Sequence, residues 1–224
     1  MNKGEATKSV YILLTDCGTL LTKTIKQYTA APYNHVSLSL DIELNELYSF
    51  GRKVPRNPLY GGFVKEDVYC GTYRYFPNTK CVVFKLRVTD DQWARIKQVI
   101  RFFRETEHLY SYNLIGLFGI VVNHPVELRN AYFCTQFVAE VLKRSGVQLW
   151  DKPSALVTPN DFLQHPAFQT IYEGKLYDYP LLQVEKLLLF QPQAVRHPYI
   201  QFPYRKIRRV LTRTKLSAFF SMFG

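Results

Sequence analysis

Polar and apolar residues alternate from His35 to Asp41 (HVSLSLD), the period-2 pattern of a half-buried strand. Val36, Leu38 and Leu40 fall on one face; His35, Ser37, Ser39 and Asp41 fall on the other. Upstream, apolar spacing predicts a short strand over 10–14 (VYILL), then a helix over 19–28 with Leu20, Leu21 and Ile25 inward. A turn at Ala31-Pro32-Tyr33 leads into the alternating strand, and 46–51 (ELYSFG) reads as its hairpin partner. Gly, Pro and basic residues crowd 52–73, which reads as an irregular excursion. A strand follows over 81–88 (CVVFKLRV). Thr89 then caps a helix whose inner stripe is Trp93, Ile96, Ile100 and Phe103.

The apolar run 114–122 (LIGLFGIVV) is short and reads as core. Beyond it, Phe137, Val138, Val141 and Leu142 recur at helical spacing, so a helix begins near Cys134 and ends near Ser145, with Gly146 as a left-handed cap. Thr158-Pro159-Asn160-Asp161 opens a short helix by the same capping logic. Residues 185–190 look like a last strand. Mixed strands and helices without internal repeats point to an α+β fold. The character changes at 196, where acidic residues vanish and Arg205, Lys206, Arg208, Arg209, Arg213 and Lys215 accumulate. Ile207, Val210, Leu211 and Ala218 share one helical face there, and Phe219, Phe220, Met222 and Phe223 follow. Such a basic amphipathic tail suits an anionic membrane surface, and equally a helix packed on its own domain.

Composition adds three constraints. A hydrophobic fraction of 47% with 15% aromatic residues supports a real core and argues against disorder. A net charge of +11 suits nucleic acid, anionic lipid or simple solubility, but no recognition helix or RNA-binding motif accompanies it, so nucleic acid is not an expected partner. The opening MNKGEATKSVYILLTD does not read as a signal peptide, and no run of about 18 apolar residues occurs. The expectation is therefore a cytoplasmic protein, peripheral to a membrane where the tail docks, with its cysteines kept as thiols. Cys17, Cys70, Cys81 and Cys134 show no paired spacing, so no zinc site, disulfide framework or cofactor is expected.

Candidate chemistry centres on Cys134. A cysteine where a loop becomes a helix feels the partial positive charge of unpaired N–H groups, which favours the nucleophilic thiolate. A buried structural cysteine is the alternative. A nucleophile also needs a base, and imidazole titrates in the right range. His35, on the polar face of a strand, is the candidate; His108, His124, His165 and His197 look like loop or helix-end residues.

The order of these pieces carries a resemblance. YILLTD at 11–16, TLLTKTI at 19–25, YNHVS at 33–37, FCTQFVAEVLKRSGV at 133–147 and TPNDFLQHPAFQTIYEG at 158–174 together resemble the permuted NlpC/P60 papain-like proteins. In that family the histidine strand precedes the cysteine helix. The resemblance implies a papain-like domain over 1–195, with an antiparallel sheet packed against helices that include the nucleophile helix, and a separate basic tail over 196–224. It implies Cys134 as nucleophile, His35 as base, and hydrolysis or acyl transfer through a thioester. Related families include bacterial amidases and peptidases and lipid acyltransferases, so a peptide or lipid-like substrate is implied.

The family places a polar residue, often Glu, His or Gln, on the strand after the histidine strand, where it orients the imidazole. Ser49 occupies that place; it can accept from the ring N–H but carries no charge. Glu46 replaces it if the register slips. Asp41 shares the face of His35 but lies roughly 20 Å along the same strand. The Cys134 backbone N–H is the first oxyanion donor, with Tyr11 or Tyr33 as the second. The uncharged Ser49 also leaves room for a second reading, an inactive binding module on the same fold.

Overall fold

The computed structural model describes residues 7–17, 32–54, 57–113, 124–125 and 127–189, all within one compact unit, Met1–Gln193. The helix expected over 19–28, the apolar run 114–122, the tail 196–224 and His197 lie outside the described residues. In chain order the elements are β1 (Lys8–Asp16), β2 (His35–Ser39), β3 (Leu47–Val54), β4 (Asn57–Glu66), α1 (Gly71–Arg74), β5 (Lys80–Val88), α2 (Asp90–Glu105), β6 (Ser111–Tyr112), β7 (Ala131–Tyr132), α3 (Cys134–Arg144), α4 (Pro159–Gln164), β8 (Phe168–Lys175) and α5 (Val184–Leu188). Among them, six strands form one antiparallel sheet in the order β4-β3-β2-β1-β5-β8, and β6 pairs in parallel with β7. The fold is α+β. Among the described residues no helix is long and apolar enough to cross a membrane.

Both faces of the sheet are covered. On one, Val10, Ile12, Leu14, Val36, Leu38, Phe50 and Phe84 pack with residues of α2 and α3. On the other, Leu13, Leu47, Cys81 and Val83 pack with Tyr69, Tyr73, Leu176 and Tyr179. Double coverage explains why apolar residues run on without alternation at Ile12-Leu13-Leu14 and Val82-Val83-Phe84. It also corrects the half-buried reading of β2. Ser37 and Ser39 are as fully enclosed as Val36 and Leu38, because the second layer lies over them.

The helix signals act as capping chemistry predicts. Thr89 and Gln92 form a reciprocal capping box at α2, and Thr158 and Asp161 form one at α4 with Pro159 in the first turn. Gly146, at φ 78°, lets Val147 N–H return to the Leu142 carbonyl at 2.9 Å and close α3. Trp93 lies at the rim rather than within the inner stripe, with Lys97 Nζ 3.8 Å above its ring.

Two further sequence expectations fail. The expected irregular excursion contains the rest of β3 and all of β4, and runs into the single turn α1. Gly61 and Gly62 look like breakers but serve close approach. A Cβ on Gly61 would stand 2.7 Å from the Gly51 carbonyl oxygen and 3.0 Å from Tyr112 Cβ, and one on Gly62 would stand 3.0 Å from the Tyr110 carbonyl oxygen. The expected last strand is instead the helix α5, since a short apolar run does not distinguish the two by periodicity. The outer strand β8 carries no clear alternation, so its sequence does not mark it as a strand.

The core over α3 centres on Phe137, whose ring centroid lies 5.2 Å from Phe50, 5.7 Å from Phe63 and 5.2 Å from Phe103. Phe137→Ala leaves a cavity between sheet and helices that neighbouring rings fill only in part. Urea denaturation is expected to show a loss of about 3–5 kcal/mol in unfolding free energy.

Candidate active site

α3 is seated by Phe137, Val138, Val141 and Leu142, which bury against Val36 and Leu38 and bring its first residue, Cys134, to the start of β2. The N-cap residue Phe133 supplies no side-chain acceptor, so the first-turn N–H groups are not used up by a cap. The Val36 and Thr135 backbone N–H groups lie beside the Cys134 sulfur and favour its ionised form.

His35 opens β2, and the chain leading into it is fastened on two sides. The Tyr33 hydroxyl donates to Glu173 at 2.8 Å, and the Asn34 amide donates to Asp16 at 2.6 Å. His35 Nε2 lies 2.7 Å from Glu66 Oε1 and 3.1 Å from Ser49 Oγ. Glu66 is ionised and can only accept, so Nε2 carries a proton and Ser49 is a second acceptor for it. The remaining ring nitrogen, Nδ1, is left for Cys134, with which His35 is hydrogen-bonded.

Glu66 ends β4, two strands away from β2 in the sheet, and its side chain spans the row of Ser49 to reach His35. Its second oxygen, Oε2, accepts from the Ser37 hydroxyl at 2.6 Å and the Tyr73 hydroxyl at 3.0 Å. Sequence reasoning does not find this carboxylate, because the Gly, Pro and basic residues of 52–73 hide β4. Residues 63–66 (FVKE) put one apolar and one charged residue on each face, so no period-2 pattern marks Glu66 as part of a strand.

The electrostatics run in one direction through the chain. Burial pulls the His35 imidazole down, but the Glu66 charge and the Cys134 hydrogen bond outweigh it and hold the ring well above its ordinary value. Burial pushes the Cys134 thiol up, but His35 and the two backbone N–H groups outweigh it and bring the thiol down. Burial raises Glu66 too, and its contact with His35 and the two hydroxyls lower it on balance. A thiolate beside an imidazolium is therefore the favoured state of the pair. The other thiols go the opposite way: burial, more than any other cause, raises Cys17, Cys70 and Cys81, the last to about 12.

Tyr112 is a further residue that the sequence did not single out. Its hydroxyl donates to Cys134, and burial together with the thiolate charge holds it protonated. It arrives there because β6 pairs with β7, Tyr112 opposite Tyr132, two residues before Cys134. The tyrosines expected as oxyanion donors are elsewhere. Tyr33 is committed to Glu173, and Tyr11 interacts with Glu43 and Asp41. Glu46 pairs with Lys65 and Tyr48 and does not reach His35. Asp41 caps the turn after β2, accepting from the Asn45 and Glu46 N–H groups at 2.9 and 2.6 Å. His165 is structural: its ring nitrogens bond the Leu149 carbonyl at 2.9 Å and the Ala167 N–H at 3.2 Å. Among the described residues no group of three or more His, Cys, Asp or Glu is placed to hold a metal ion.

No protein-family model matches this sequence, and no curated protein matches it. The chemistry of the site therefore rests on its own geometry.

Glu66→Gln keeps an acceptor for Nε2–H but removes the charge. The His35 imidazolium is then expected to lose its proton at lower pH, with its NMR titration midpoint falling by at least about one unit. An unchanged midpoint would mean that the Glu66 charge does not govern the ring.

Proposed function

We propose that this chain is a papain-like cysteine hydrolase or acyltransferase of the permuted NlpC/P60 type, acting on an amide or ester of a peptide or lipid-like substrate. The observation that carries the reading is the continuous hydrogen-bonded series from Cys134 through His35 to Glu66. A buried structural cysteine has no need of a raised imidazole or an ionised carboxylate behind it. The same series weighs against an inactive module, whose support is the uncharged Ser49.

In the proposed reaction the Cys134 thiolate adds to the acyl carbon, and the carbonyl electron pair moves onto oxygen. The Cys134 backbone N–H and the Tyr112 hydroxyl are the donors assigned to that oxyanion. Collapse re-forms the carbonyl and breaks the bond to the amine or alcohol, which leaves with the proton from His35 Nδ1. Neutral His35 then takes a proton from water, or from an acceptor alcohol or amine, as its oxygen or nitrogen attacks the thioester. Thiolate is expelled and the imidazolium is restored. Throughout, Glu66 holds Nε2–H and balances the positive ring, as the third member of such triads does.

The lowered thiol and raised imidazole set the pH behaviour. Cys134 stays ionised below the ordinary thiol range, so iodoacetamide at about pH 6.5 is expected to label it at least about tenfold faster than Cys17, Cys70 or Cys81. Equal, slow labelling of all four thiols would sink the reading. Turnover of activated esters is expected to vanish in Cys134→Ser and to fall by about 10²–10⁴-fold in His35→Ala. As pH rises through the His35 value, acylation by poor leaving groups falls because the imidazolium is lost, while alkylation of the thiolate persists.

A further inference from the structure

Glu66 is an ionised carboxylate inside the protein, with 13% of its side chain exposed. Such a group persists only where donors replace its water. Oε1 has His35 Nε2; Oε2 has two hydroxyls, from Ser37 on β2 and Tyr73 on α1. Ser37 shares a strand with His35 and is fully buried. Tyr73 comes from outside the sheet, and how it is held is informative.

The segment carrying Tyr73 is short and is secured from several directions. Asp67 accepts from the Tyr69 N–H at 2.8 Å, Tyr177 donates to the Val68 carbonyl at 2.9 Å, and the Gln183 N–H donates to the Tyr69 hydroxyl at 2.6 Å. Gly71, at φ 58°, begins the turn in a conformation that side-chain-bearing residues seldom adopt. The Tyr73 ring, 3% exposed, packs among Leu13, Tyr69, Cys81 and Val83, and its hydroxyl ends 3.0 Å from Oε2. Burial and the Glu66 charge hold that hydroxyl in its protonated, donating form.

We propose that Tyr73 is a positioning residue of this site: its hydroxyl pins Oε2 of Glu66 so that the carboxylate stays charged with Oε1 on His35. The inference rests on the reading of Cys134 and His35 as the reacting pair and adds a residue that acts on them only through Glu66. Without the Tyr73 hydroxyl, Oε2 keeps one donor. The charged form of Glu66 is then less favoured, and the side chain is freer to turn away from Nε2, leaving the weaker acceptor Ser49 there.

Tyr73→Phe removes one oxygen and leaves the ring in its packing. Losing a donor to the charged form raises a carboxyl pKa. The Glu66 side-chain carboxyl ¹³C resonance is therefore expected to titrate at a pH higher by about half to one unit. On acidification, the low-field His35 Nε2–H proton signal should disappear at correspondingly higher pH. A merely structural tyrosine would lower stability in urea and leave both titrations where they are; that result would overturn the proposal. In the Glu66→Gln background, Tyr73→Phe should not move the His35 titration further, and an additive shift would also overturn it. Should Tyr73→Phe not fold, 2,3-difluorotyrosine at position 73, a stronger donor, is expected to move the Glu66 titration the other way, and no movement would overturn the proposal. The underlying reading fails separately, through slow iodoacetamide labelling of wild-type Cys134, which neither NMR titration measures.

Discussion

The contact between His35 Nε2 and Glu66 Oε1, 2.7 Å long, sets the protonation of everything around it. Because Glu66 only accepts, Nε2 must carry a hydrogen, and Nδ1 is left to Cys134. Because Glu66 is negative, the ring holds its proton more tightly, and the protonated ring in turn favours the thiolate. Neither step works in isolation. A buried imidazole without the carboxylate would hold its proton less tightly, and a buried thiol without the imidazolium would remain a thiol, as Cys81 does.

The fold supplies the low-dielectric surroundings that make these charges matter. Covering the sheet on both faces removes water from the Ser37, Ser49 and Glu66 side of β2 and β3 as well as from the α3 side. Enclosed polar groups need partners, and here they find each other: Ser37 and Tyr73 serve Oε2, while Ser49 and Oε1 share Nε2–H. The polar face of β2 is thus a buried network rather than a solvent-facing surface. A network fully paired in this way also holds its members in one arrangement.

A second constraint is backbone proximity. Gly61 and Gly62 allow β6 to lie against the β3–β4 hairpin, since a Cβ at either position would meet backbone or Tyr112 itself. The parallel pairing of β6 with β7 then carries Tyr112 to the residue pair that precedes Cys134. Two residues without side chains therefore determine where a hydroxyl meets the sulfur.

Much of this was legible in one dimension. Alternation marked β2 and placed His35, Ser37 and Ser39 on one face. Helical spacing with a left-handed glycine marked α3, and N-capping threonines marked α2 and α4. These signals are local: they depend on side-chain periodicity and on hydrogen bonds spanning three or four residues. Glu66 and Tyr112 were not legible, because their roles arise from pairings of distant segments. Glycines needed for close approach look in sequence like glycines that break strands, so β4 was hidden. The same is true of α5, whose short apolar run suits either element until its packing is known. By itself the sequence determined a thiol at a helix start and an imidazole on a strand, through local electrostatic and steric rules. Only the tertiary structure decided which carboxylate stands behind the imidazole and which hydroxyl faces the thiol, because those choices depend on sheet order and layer packing that no local pattern encodes.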